Sequence, residues 1–111
     1  MEEKDYGVAF QLIMNAGDSK SASMMAIEAA RKFDFVTAQQ YLKEAEAQMR
    51  LAHQCQIDMI QQEAAGRPVE VNIILVHAQD HLTMAMMAKE RAEELIHVYH
   101  MIKDCKGSNI D

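Results

Sequence analysis

The chain has 111 residues, half of them hydrophobic and only one a proline, and eleven basic against seventeen acidic side chains leave a net charge of −6. That length suits one compact domain spanning residues 1–111, small enough that covering its apolar surface calls for help from another subunit. An acidic chain without a Lys/Arg cluster or an aromatic platform lacks the footprint of a nucleic-acid binder, so no nucleic acid is expected as a partner. No run reaches the ~20 apolar residues of a membrane span. The opening MEEKDYG is acidic where a signal peptide would be basic and then apolar, so a soluble, cytoplasmic protein is expected. Cys55 and Cys105 lie in helical patterns without CxxC partners, which favours reduced thiols.

The first helical segment is expected from about Glu2 to Arg31, carrying Val8, Ala9, Leu12, Ile13, Ala16, Met24, Ile27 and Ala30 as its apolar positions. Gly17, Asp18 and Ser19 interrupt it and predict a kink or a fresh N-cap. Lys32 to Asp34 reads as a short connection, with Asp34 as the cap of a second helix over about 35–65. In that helix Ala38, Leu42, Ala45, Met49, Ala52, Cys55 and Met59 follow steps of four and three residues, which is one stripe. Gly66, Arg67 and Pro68 supply a C-cap glycine and a helix breaker. A third helix is expected from near Glu70 to about Lys106, ended by Gly107. Two short connections between long helices predict an all-α, antiparallel up-down-up three-helix bundle.

Helix three holds a difficulty for a lone bundle. Ile74, Val76, Ala78, Leu82, Met84, Ala85, Met86 and Met87 between them point in every direction, and a helix apolar all round must be buried all round. A homo-oligomer in which this helix packs on its own copies resolves the difficulty, and it would bury Met84 and Met87.

From Val71 to Ala88 the only ionisable side chains are His77, Asp80 and His81. Leaving polar groups in such a setting costs roughly 1 to 3 kcal/mol each when unpaired, so they are expected to have a partner or a chemical task. At about 100° per residue His77 and His81 share one stripe and Asp80 lies beside them. The i, i+4 histidines also have metal-ligand spacing, and Met84, Met86 and Met87 could add soft ligands for copper. Methionine is common core filler, however, and the ten here repeat no ligand motif. A carboxylate-bridged di-iron bundle needs two Glu-x-x-His motifs, and only Glu94-Leu95-Ile96-His97 fits. His97, His100, Lys43, Glu44 and Glu46 read as exposed helix faces, and His53 is placed where it could approach helix three.

The stretch Leu75-Val76-His77-Ala78-Gln79-Asp80-His81-Leu82 resembles the LVHAQDHL signature of the lactose/cellobiose-type enzyme IIA of the bacterial phosphoenolpyruvate-dependent sugar phosphotransferase system. Leu12-Ile13-Met14-Asn15-Ala16-Gly17 is similar to that family's LIINSG, Asp34-Phe35 to its GDF connection, and Ala52-His53 to its AH. Phe33 stands where GDF has glycine, Ala16 where NSG has serine, and Cys105 to Asp111 has no clear counterpart.

The resemblance implies a homotrimer of nine helices in which His77 takes a phosphoryl group from the phosphohistidine of HPr and passes it to a cysteine of enzyme IIB. It further implies that Asp80 from three subunits meets on the three-fold axis and holds one divalent cation such as Mg²⁺. Gln79 and His81 are candidates for steadying the transferring group. The resemblance also implies that sugar does not bind here, that the membrane is met only through the enzyme IIC permease, and that the sugar is lactose, cellobiose or another β-glucoside, with the sequence not revealing which. The chemistry suits imidazole, since an unperturbed ring is largely neutral near pH 7 and therefore nucleophilic. The alternative is a non-catalytic metal-binding or scaffold bundle with His77, Asp80 and His81 as ligands.

Overall fold

The computed structural model describes residues 6–108, which form three α-helices: α1 Gly7–Arg31, α2 Phe35–Ala64 and α3 Ile73–Ser108. They run up, down and up, with α1 packed along both of the others and α2 and α3 meeting over a shorter stretch. Among the described residues no helix is long and apolar enough to cross a membrane. The stretch expected to open helix one at Glu2 lies partly outside the described residues, since these begin at Tyr6.

Small side chains set how closely the helices approach. On α1 Leu12, Ala16, Ser19, Ser23, Ala26 and Ala30 are buried at steps of four and three, and on α2 Ala38, Ala45 and Ala52 are fully buried at every seventh position. The α2 stripe is the one that its spacing predicts, with Leu42, Met49, Cys55 and Met59 packed at its margins. On α3 the inward stripe is Ala78, Leu82, Ala85, Ala92 and Ile96.

The break expected at Gly17 to Ser19 is absent, because α1 continues through it. The Ser19 hydroxyl donates to the Ala45 carbonyl of α2 at 2.7 Å instead of capping its own backbone. One glycine inside a helix costs about 1 kcal/mol relative to alanine, and burial of the flanking turns outweighs it.

Helix three also starts later than expected. Asn72, not a residue near Glu70, caps it by accepting the Leu75 N–H at 2.9 Å, and the helix runs through Gly107 to Ser108. The connection before it is tied back where the Val69 N–H donates to the Glu63 carboxylate at 3.1 Å.

Both inter-helix turns close by the same device. After α2 the N–H groups of Gly66 and Arg67 reach back to the carbonyls of Glu63 and Gln62, with Gly66 at φ 85° as the left-handed residue. After α1 the N–H groups of Phe33 and Asp34 reach the carbonyls of Ala30 and Ala29, and here the left-handed position falls on Phe33, at φ 62°. An L side chain in that region costs roughly 1–2 kcal/mol. Ring contacts offset part of it: Phe33 packs 6.2 Å from the Phe35 ring and lies under Lys106, while Phe35 stacks on His100 at 3.6 Å. His100, exposed as expected, thereby also ties the first turn to α3.

Asp34 caps α2 by accepting the Thr37 N–H at 3.2 Å. The Thr37 hydroxyl and then its backbone N–H hold the Asp34 carboxyl below its ordinary range. With a depressed folded value, this cap contributes above the ordinary carboxylate range and is lost as pH falls through the lowered one.

Phe33 provides a direct stability test. Phe33→Ala keeps the strained backbone and loses the ring, whereas Phe33→Gly loses the ring and the strain, so chemical denaturation should find the glycine variant more stable than the alanine variant by about 1 kcal/mol. Equal stabilities would show that the turn relaxes elsewhere.

Candidate functional site

The first three turns of α3 carry the site because Asn72 fixes where the helix begins and Ala78, Leu82 and Ala85 fix which side faces the core. With those alanines inward, His77 and Asp80 are exposed and His81 is half-buried. His77 and His81 touch through their Nε2 atoms at 3.0 Å, the rings 4.5 Å apart and nearly perpendicular at 85°. Such a contact needs one nitrogen bearing hydrogen and one bearing a lone pair, so one ring donates through Nε2 and the other accepts. One imidazole nitrogen is thus kept as an acceptor by its neighbour.

Asp80 makes no hydrogen bond or ion pair among the described residues. With His77 it borders a largely apolar groove of about 580 Å³, walled by Phe10 and Ile13 of α1 and by Ile73, Ile74 and Val76 of α3. Around it large apolar side chains stand in solvent: Ile73 is 79% exposed, Val76 51%, Met84 36% and Met87 54%. In a single chain the residues expected to be covered by neighbouring copies are bare.

Gln79 does not join the histidines. Two residues after His77, it lies about 200° round the helix, on the flank facing α2, where its Oε1 accepts from Gln56 Nε2 at 2.7 Å. His53, which the sequence places near helix three, is exposed, and Gln56 makes the polar contact instead. Sequence reasoning missed Gln56 because it sits beside the Ala52, Cys55, Met59 stripe and reads as one polar residue among many. Its only signal is that edge position, four residues after Ala52.

Among the described residues no three His, Cys, Asp or Glu side chains of one chain converge so as to hold a metal ion. His77, Asp80 and His81 therefore share a face without forming a coordination site by themselves. His97 is exposed on α3, and Cys55 packs against the core.

Comparison with known proteins agrees with this geometry. The profile of the PTS system, Lactose/Cellobiose specific IIA subunit family matches residues 7–100. The chain is 38% identical to the lichenan-specific phosphotransferase enzyme IIA component of Bacillus subtilis, over 99% of this chain and all of that protein. The crystal structure of the cellobiose-specific enzyme IIA from Bacillus anthracis superposes with a TM-score of 0.88 at 35% identity, covering 94% of this chain and 95% of that one. The IIA(Chitobiose) in complex with HPr from Escherichia coli superposes with a TM-score of 0.77 at 31% identity, covering 92% and 99%. The three-helix chain with paired histidines at the head of α3 belongs to the lactose/cellobiose-specific IIA family of the phosphotransferase system.

Proposed function

We propose that this chain is a phosphocarrier in which His77 accepts a phosphoryl group from the phosphohistidine of HPr and hands it to a cysteine of enzyme IIB. The observation that carries this reading is the Nε2 contact between His77 and His81 on the outward face of α3. The lone pair on the His77 ring nitrogen that bears no hydrogen forms an N–P bond as the N–P bond of phospho-HPr breaks, the other ring nitrogen keeps its hydrogen, and the electron pair of the broken bond returns to the HPr ring. In the second step the His77 N–P bond breaks as a thiolate of enzyme IIB forms an S–P bond. Phosphoryl transfer of this kind asks for alignment and charge stabilisation more than covalent assistance. His81 supplies alignment by fixing the His77 ring. HPr as partner is supported by the similar IIA chain that has been solved in complex with HPr. The sugar, a β-linked disaccharide such as cellobiose or lactose, is handled by the membrane component, enzyme IIC, and the carrier works in the cytoplasm.

The same reading makes the protein a homotrimer built on α3. Taking Asp80 as the side of α3 nearest a three-fold axis, His77 and His81 lie about 60° and 100° to one side and Gln79 about 100° to the other. Cyclic symmetry then turns the His77 flank of each subunit towards the Gln79 flank of the next. Gln79 can serve a phosphoryl group only across that boundary.

Asp80 fits a shared cation. It is a carboxylate without a partner among the described residues, on an outward stripe of apolar side chains, and two such charges ~4 Å apart at an effective dielectric of 20 repel by about 4 kcal/mol. Three carboxylates are a donor set of hard oxygens, suited to Mg²⁺, Ca²⁺ or Mn²⁺. Bound there, the ion would neutralise the axis and hold the subunits in register.

Incubation with phosphoenolpyruvate, enzyme I and HPr should add one acid-labile phosphate per subunit. His77→Gln should abolish it while helical content and oligomer persist. An unmodified wild-type chain would leave the metal-binding or scaffold bundle, and residual labelling at His81 or His53 in the variant would reassign the acceptor. Asp80→Leu should keep the assembly and lose the cation in elemental analysis, because an apolar side chain of similar size removes both the repulsion and the need for the ion. A leucine variant that still carries one divalent ion per trimer, or dissociates into monomers, would remove Asp80 from the axis.

A further inference from the structure

The hydrogen bond from Gln56 to Gln79 joins α2 to the stretch of α3 that carries His77, Asp80 and His81, yet no step of the transfer uses Gln56. It is a directional contact. A glutamine amide has an acceptor end and a donor end, and which end faces outward depends on what holds the other. Here Gln56 Nε2 donates to Gln79 Oε1 at 2.7 Å, so the acceptor end of Gln79 is occupied and its NH₂ group has no partner among the described residues.

We infer that Gln56 is a positioning residue for phosphoryl transfer, holding the Gln79 amide with its NH₂ outward so that it donates to the oxygens of a phosphoryl group on His77 of the adjacent subunit. This rests on the phosphocarrier and trimer reading above. With both amides turned over, Gln79 Oε1 would face an anion and repel it, so the sign of the Gln79 contribution follows the orientation of the Gln56 amide. Both side chains are partly buried where α2 meets α3, and Gln56 lies on α2 between Cys55, in the core, and Ile57. The α2 backbone therefore carries the positioning group on a rigid element. Thr83, one turn further on, bonds only the Gln79 backbone carbonyl and leaves the amide to Gln56.

The test compares Gln56→Glu, Gln56→Met and Gln79→Leu, singly and with each Gln56 change combined with Gln79→Leu, by the rate of phosphoryl uptake from phosphorylated HPr. An ionised glutamate can only accept, so Gln56→Glu forces the Gln79 NH₂ towards α2 and its oxygen outward. Uptake should fall on the order of tenfold, as for a misaligned donor to a developing anion. Gln56→Met leaves the amide free to take either orientation and should cost less, roughly twofold to threefold. In the Gln79→Leu background Gln56→Glu should have no further effect, which a general electrostatic or folding effect of the new charge would not reproduce. Thermal unfolding and oligomeric mass of each variant check that the fold is kept. A Gln56→Glu protein that takes up phosphate at the wild-type rate, or one whose defect is as large without Gln79 as with it, overturns the inference while wild-type phosphorylation still stands. A wild-type chain that is not phosphorylated overturns the carrier reading itself.

Discussion

The outward stripe of α3 is the constraint on which the rest depends. Ile73, Val76, Met84 and Met87 are 36% to 79% exposed in a single chain, and they surround Asp80, whose carboxylate has no partner among the described residues. Fully burying side chains of this kind is worth roughly 1.5–3 kcal/mol each, and contiguous apolar patches on soluble monomers mark interaction surfaces. The helix can satisfy its inner stripe with Ala78, Leu82 and Ala85 on α1 and α2. Its outer stripe is left bare in the single chain, and the proposed homotrimer would cover it with the same stripe of its copies.

That constraint also explains the placement of the chemistry. A phosphoryl acceptor gains from a rigid, dry, preorganised setting, and the boundary between an apolar interface and solvent offers one. In the trimer proposed above His77 would stand at that boundary; in the single chain its ring is 3.0 Å from the ring one turn away and borders a groove walled by Phe10 and Ile13 of α1. The alanine and serine seam of α1 and α2 contributes from a distance, because the close approach reported by the Ser19 to Ala45 bond sets the rotation of the helix pair against which α3 docks.

Much of this was legible in the sequence. The α2 stripe from Ala38 to Met59, the Asp34 cap and the Gly66 turn all follow from local rules of spacing and backbone conformation, and the structure has each of them. His77, Asp80 and His81 stood out because ionisable groups are rare in an apolar helix. What escaped depends on contacts between helices. Ser19 reads as a cap until α2 offers it a carbonyl, and the left-handed position of Phe33 is hinted at only by its standing where the GDF connection has glycine. Gln79 looks adjacent to His77 in sequence and is on the opposite flank in space, where Gln56 takes it up.

The measurement that bears most directly on this account is the mass of the intact chain in solution. Sedimentation equilibrium at micromolar concentration should give about three times the 12.6 kDa of one chain, as a helix that has to bury both of its apolar stripes requires. A stable, monodisperse monomer would show that the outward stripe of α3 tolerates water, and the account of how His77, Asp80 and Gln79 are brought together would fall with it.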